Sequence, residues 1–308
     1  MPGLKATLFG RFRIEKEDLQ PLEGLEAHKV RELLSLLLVF WERPQPRETL
    51  AERLWEGQPP EKSKKNLRQT LWRLRTVLDD CRAPCAPTLL ADPEWIQINP
   101  SIGLQLDIAD FERTFNRYND RRARDLDEAG YQALQRAVSL YRGDLLEGWY
   151  QEWCMIERER FQSMYLLLLC RLVQYCELHQ EWEMGLVYGE KLLRHDRAYE
   201  RTHRQLMRLY FLAGDRTAAL RQFQRCATAL KEELGVEPSA RTLQLYEQIR
   251  TGRLRRPLPL GGRQAPREAG QVSTENIRRL DEIAETLSGI PSQIQKDIGL
   301  QPGQLDTL

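Results

Sequence analysis

At 308 residues the chain is long enough to bury more than one core, and 41% hydrophobic with 30% charged residues is the mixture of an ordinary soluble globular protein. A net charge of +1 excludes a chain that is basic throughout, so any surface for a polyanion has to be local. The apolar runs 33–41 and 165–170 are too short to span a bilayer, and residues 1–12 lack the charged-then-apolar pattern of a secretory leader. A cytoplasmic protein with no membrane partner is expected.

Taken in chain order, the opening predicts strands. Leu4, Ala6, Leu8 and Gly10 alternate with Lys5, Thr7 and Phe9, and 11–14 run on toward a polar turn at 15–18. A helix is predicted over 27–41, with Val30, Leu33, Leu34, Leu37 and Leu38 on one face and Pro44 and Pro46 beyond its end. A short second helix, 47–55, turns Leu50, Ala51 and Leu54 inward, and Gly57-Gln58-Pro59-Pro60 breaks the chain again. The third helix, 61–78, carries Leu67, Leu71, Leu74 and Leu78, which fall on one narrow stripe at about 100° per residue. Away from that stripe lie Lys62, Lys64, Lys65, Asn66, Arg68, Gln69, Trp72 and Arg73. With Arg75, the segment sets six basic residues against the single acid Glu61.

Short β-prone runs follow at 88–90 and 95–98, separated by the turn Ala91-Asp92-Pro93-Glu94, and Leu104 with Leu106 offers one more strand. Strands, three helices and a terminal hairpin make an α+β winged helix-turn-helix over residues 1–106. Such a fold lays its third helix in the DNA major groove. A cationic helix face is usually no more than solvated surface. Here it sits on the helix that this order selects as reader, and Asn66 and Gln69 add side chains suited to base edges.

From residue 107 the pattern is helical without interruption, predicting an all-α domain over 107–252. Asp107 is read as the N-cap of a helix over 108–118. Further helices are predicted at 127–140, stopped by Arg142-Gly143-Asp144, and at 152–178, 181–193, 201–212, 216–234 and 239–249. A shift of 34 residues aligns Leu172 with Leu206, Val173 with Met207, Leu178 with Leu212 and Leu186 with Leu220; 34 is the tetratricopeptide period. Ala219-x3-Phe223 supplies part of that repeat's small-then-aromatic signature, and Tyr188, Leu206, Leu220 and Phe223 are read as core. The concave surface of such repeats is a natural seat for an effector or a partner protein. Residues 253–272, rich in Pro, Gly and Arg, read as a flexible linker, and 273–308 as a short helical tail. In that tail Ile277, Leu280, Ala284 and Leu287 suit docking or a homodimer.

No catalytic or cofactor site is expected. His28, His179, His195 and His203 form no cluster, and no Gly-rich phosphate loop or nucleophile elbow is present. Glu157 and Glu159 alternate with Arg158 and Arg160 as on a charged helix surface. Cys81-x3-Cys85 lacks the second pair that a metal site needs, and Cys154, Cys170, Cys176 and Cys226 are scattered; reduced thiols of a cytosol are expected.

Five stretches resemble the SARP (antibiotic regulatory protein) regulators, which join an OmpR/PhoB-type winged helix to a bacterial transcriptional activator domain (BTAD). They are Leu8-Phe9-Gly10-Arg11-Phe12, the run from Asn66 to Arg75, Leu106-Asp107-Ile108-Ala109-Asp110-Phe111-Glu112, Tyr141-Arg142-Gly143-Asp144-Leu145-Leu146, and Leu234-Gly235-Val236-Glu237-Pro238-Ser239. The resemblance covers about residues 4–251. It implies an activator that binds repeats in double-stranded promoter DNA and recruits RNA polymerase. The turn before the reader helix, Trp55, Glu56, Gly57 and Gln58, is the implied polymerase contact. Neither the ATPase domain of larger relatives nor a receiver domain is recognised. The competing expectation is a protein-interaction module built on the repeats, in which the winged helix is architectural.

Overall fold

The computed structural model describes residues 4–16, 20, 22–79 and 87–254. Cys81, Cys85 and the tail over 273–308 lie outside the described residues, as does the linker from 255 on. Strands β1 (Leu4–Thr7) and β2 (Arg13–Lys16) pair antiparallel, with Ala6 opposite Ile14. Helices α1 (His28–Val39), α2 (Arg47–Leu54) and α3 (Pro60–Asp79) follow, with the two-residue strand β3 (Gln45–Pro46) leading into α2. A hairpin of β4 (Leu89–Ala91) and β5 (Trp95–Ile98) takes β3 on its free edge. β6 (Leu104–Leu106) then returns to lie parallel beside β1, giving the sheet order β2-β1-β6. This is a winged helix-turn-helix with an N-terminal sheet.

An all-α region continues with α4 (Asp107–Tyr118), α5 (Glu128–Leu140), α6 (Glu152–His179), α7 (Trp182–His195), α8 (Glu200–Leu212), α9 (Arg216–Leu234) and α10 (Ala240–Arg250). Local chemistry sets several of these ends. Asp127 caps α5 by accepting the Gly130 amide at 2.8 Å, and Asp215 caps α9 by accepting that of Ala218 at 2.8 Å. α9 stops where Gly235 turns left-handed at φ 67°. α6 packs on α7, α7 on α8 and α8 on α9, the serial stacking expected of helical repeats. Leu172, Val173, Leu206 and Met207, aligned by the 34-residue period, are all fully buried.

The approach of α7 to α8 depends on Gly185 and Gly189, one helical turn apart. A Cβ on Gly189 would stand 2.9 Å from Leu206 Cγ, in a side chain that is itself fully buried. Gly189→Ala is therefore expected to destabilise the fold by about 1–3 kcal/mol from overpacking, outweighing the helix propensity that alanine gains. Urea denaturation followed by circular dichroism measures this, and a stabilised variant would refute it.

The four described cysteines are packing groups. Burial pushes the Cys154 and Cys176 thiols up to about 11 and the Cys226 thiol up to about 12, and raises Cys170 as well. Native protein at pH 8 is expected to leave all four unmodified by iodoacetamide, with labelling only on unfolding, as read peptide by peptide in a mass spectrometer.

One continuous apolar core runs from Leu4 to Leu209 and crosses from the sheet region into the helices. The crossing is a joint built from three of the motifs above. Asp107 does not act as a helix cap: α4 starts after Leu106, and no side chain caps it. Its carboxylate instead reaches back across the fold and accepts the amides of Leu8 at 2.9–3.0 Å and Phe9 at 2.9 Å, besides that of Ile108. Those amides would otherwise be orphaned where β1 ends. Burial raises the carboxyl of Asp107 above the usual carboxylate range, against the pull of these donors.

The loop after α5 closes the other side of the joint. Gly10 donates to the Asp144 carbonyl, Leu146 to that of Leu8 and Glu147 to that of Gly10, all within 2.9 Å. Gly143 eases this approach, since a Cβ there would crowd the Glu147 carboxylate and stand 3.3 Å from Gly10 Cα. Arg158 gathers the loop by donating to the carbonyls of Leu145, Leu146 and Trp149. The Phe9 ring fills the centre, with Tyr141, Phe111 and Phe161 at 4.8, 5.2 and 5.4 Å between ring centroids.

Candidate nucleic-acid interface

Pro60 opens α3, where its missing N–H costs nothing. The helix buries Ser63, Leu67, Thr70, Leu71, Leu74 and Leu78, so the leucine stripe packs against α1 and α2 as its spacing predicts. The opposite side is free. Lys62, Lys65, Arg68, Gln69, Trp72 and Arg73 are exposed, Trp72 by 67%. Among the described residues none of Lys62, Lys65, Arg68, Arg73 and Arg75 has an ion-pair partner.

Two residues of the expected set are engaged within the protein. Lys64 Nζ lies 2.9 Å from Glu48 Oε1 in an exposed pair that ties the start of α2 to α3. Their shared hydrogen bond holds Glu48 below and Lys64 above their ordinary values. Such a surface pair is weak and can yield to a phosphate. Asn66 Nδ2 donates to Gln58 Oε1 at 3.1 Å, bracing the turn that precedes the helix.

The structure adds a cation from outside the helix, Arg47, and brings it beside Arg68 and Arg75. Arg47 opens α2, donates its backbone N–H to the Glu94 carbonyl and its Nη1 to the Asp92 carbonyl, both at 2.9 Å, and so joins α2 to the tip of the hairpin. Burial lowers its guanidinium pKa, and Arg75 and Arg68 lower it further by repulsion. Arg47, Arg68 and Arg75 thus converge on an open groove of ≈ 670 Å³ whose walls include Leu71, Trp72 and Pro93. Glu48, Glu61 and Asp92 lie on the same walls, but none of them ion-pairs Arg47, Arg68 or Arg75 among the described residues, and the repulsion between the three arginines is what a polyanion would relieve. At the hairpin tip, Asp92 Oδ1 accepts the amides of Glu94 and Trp95 at 2.7 and 2.8 Å, fixing the turn beside the groove.

The turn after α2 is also on the surface. Glu56, Gly57 and Gln58 are exposed, and Gly57 supplies a φ of 73° that other residues adopt only under strain. Trp55 is half-buried; its ring lies 5.9 Å from Lys29 Nζ, which also donates to the Leu54 carbonyl. Among the described residues no three His, Cys, Asp or Glu gather as for a metal ion, and no helix is long and apolar enough to cross a membrane.

The fold is that of a winged helix-turn-helix joined to an all-α region, with an exposed cationic face on α3. The family profile "Bacterial transcriptional activator domain" matches residues 106–250, and over that region the chain is similar to the SARP/BTAD transcriptional regulators. Two curated relatives are the transcriptional regulatory protein MoaR1 of Mycobacterium bovis (strain BCG / Pasteur 1173P2) and of Mycobacterium tuberculosis (strain ATCC 25618 / H37Rv). Each is 22% identical over 223 residues, 72% of this chain and 71% of the relative. A solved structure of Mycobacterium tuberculosis EmbR in complex with a low-affinity phosphopeptide shares the fold, with a TM-score of 0.68 and 21% identity over 84% of this chain and 67% of that one.

Proposed function

We propose that this regulator reads double-stranded promoter DNA with α3 and activates transcription by bringing RNA polymerase to the turn Trp55, Glu56, Gly57 and Gln58. In this reading Arg68, Gln69, Trp72 and Arg73 face base edges in the major groove, and Lys62, Lys64, Lys65 and Asn66 hold the backbone near the helix start. Arg47 and Arg75 widen the phosphate-binding strip toward the hairpin. The work is cytoplasmic, on repeated promoter sites, and needs no catalysis and no cofactor. The observation that supports it most is the cationic face of α3, five of whose six basic residues have no ion pair among the described residues, in a chain whose overall charge is only +1.

A mobility shift on genomic fragments tests the proposal. Ordered binding is expected for the native chain and none for a variant with Lys65, Arg68 and Arg73 all changed to alanine. If the triple variant shifts the same fragments equally well, α3 is not the reader. If the native chain shifts no fragment but retains a protein partner through the repeats, the winged helix is architectural.

A further inference from the structure

A second cationic site lies in the repeats, away from α3 in sequence. The end of α7 and the middle of α9 flank an open cleft of ≈ 700 Å³ with α8 at its base. Arg194, Arg197, Arg221 and Arg225 line it, against the single carboxylate of Glu190, and Leu193 and Ala229, both almost wholly buried, close its floor beneath the arginine side chains. The field is felt nearby: burial, and after it Arg194, hold Lys191 below the ordinary lysine range.

Two of the four guanidinium groups are held in place. Glu190 takes Arg225 through two hydrogen bonds of 2.8 and 3.1 Å. Arg225 Nη1 also donates to Gln222 Oε1 at 3.0 Å, and Gln222 Nε2 donates to His203 Nδ1 at 2.8 Å. His203 is buried, and burial lowers its pKa, so the ring is neutral. With Nδ1 accepting, the network assigns the proton to Nε2, which donates to the Arg197 carbonyl at 2.8 Å. A chain of hydrogen bonds thus runs beneath the cleft from Arg225 to the backbone of Arg197, whose own side chain leans to Glu232 and Glu233. Arg194 and Arg221 differ. Both are exposed, on facing helices, and among the described residues neither has an ion pair or a hydrogen bond.

We propose that this cleft binds an acidic, amphipathic segment of a partner protein, whose carboxylates pair with Arg194 and Arg221 and whose apolar side chains lie along the methylene stems of the lining arginines. Carboxylate geometry suits a guanidinium fork, and two free forks on facing helices suit carboxylates spaced along one side of a peptide segment. The proposal stands independently of the role given to α3.

Fluorescence anisotropy with the full chain tests it. The probe is a labelled peptide of about twenty residues with glutamates on one helical face and leucines on the other. The native chain is expected to bind it, in a manner weakened by salt, and to ignore the same peptide with lysines for glutamates. Arg194→Glu with Arg221→Glu is expected to weaken binding at least about tenfold while leaving the shift of promoter fragments unchanged. Arg194→Gln with Arg221→Gln, expected to lose less, carries the test should the first variant fail to fold by circular dichroism. Equal peptide affinity in the native chain and both variants would overturn the proposal. So would a random-sequence duplex that displaces the peptide and loses its own affinity in the variants, since the cleft would then be a nucleic-acid contact.

Discussion

Replacing Lys65, Arg68 and Arg73 together by alanine is expected to lower affinity for a specific promoter site by about a thousandfold or more at physiological salt. The six basic residues of α3, if all meet phosphate, set a slope of log affinity against log salt near about −5, from roughly −0.9 per contact. Removing three leaves a slope near about −3. A side chain that reaches a base edge rather than phosphate removes about 1–3 kcal/mol of discrimination on top of this, and roughly 4 kcal/mol in all is a thousandfold. The three side chains are exposed, so folding stability is expected to stay within about 0.5 kcal/mol of the native value. Anisotropy titrations across a salt series, on the native site and a scrambled one, read both quantities. Arg68→Ala alone then sorts its role, since loss on the native site only means base contact and equal loss on both means phosphate. An unchanged slope in the triple variant would remove α3 from the interface.

Phe9→Ala is expected to be the most damaging single substitution in the joint. Phe9 is 2% exposed and touches three rings from α4, α6 and the residue after α5. Truncating such a side chain costs about 3–5 kcal/mol, a large part of the roughly 5–15 kcal/mol that keeps a domain folded. Because the lost ring bridges the sheet region and the helices, amide exchange is expected to rise in both β1 and the 141–149 loop. Urea denaturation with exchange mass spectrometry measures this. A cost below about 1 kcal/mol, or exchange that rises on one side only, would show that the joint is held elsewhere.

Much of the fold could be read from side-chain periodicity. The stripe of Leu67, Leu71, Leu74 and Leu78 places α3 within a residue or two of its observed ends, because the packing it drives is itself periodic. The 34-residue alignment finds the buried pairs of α6 and α8 for the same reason. Position in the chain could not reveal Arg47 as a neighbour of Arg68 and Arg75, since only the closure of α2, α3 and the hairpin brings it to them. An aspartate before a helix looks the same whether it caps that helix or reaches elsewhere. Only the structure shows Asp107 bonded to amides 98 and 99 residues away. The opening strand ends at Thr7 rather than at residue 10, because the Leu8 and Phe9 amides are given to that carboxylate and not to a neighbouring strand. Lys64 and Asn66 kept their predicted helix but found partners within the protein, through contacts that no periodicity encodes.

The joint also bears on how such chains can be recombined. A gene fusion that severs the polypeptide after residue 106 would strip two backbone donors of their acceptor and leave an aromatic plug facing water. Grafting the winged-helix portion onto an unrelated partner therefore calls for a longer cassette, one that carries the segment through Trp149 and the arginine that ties it down, Arg158. The smallest portable piece is thus set by the shared core and its hydrogen bonds, not by the end of the last strand.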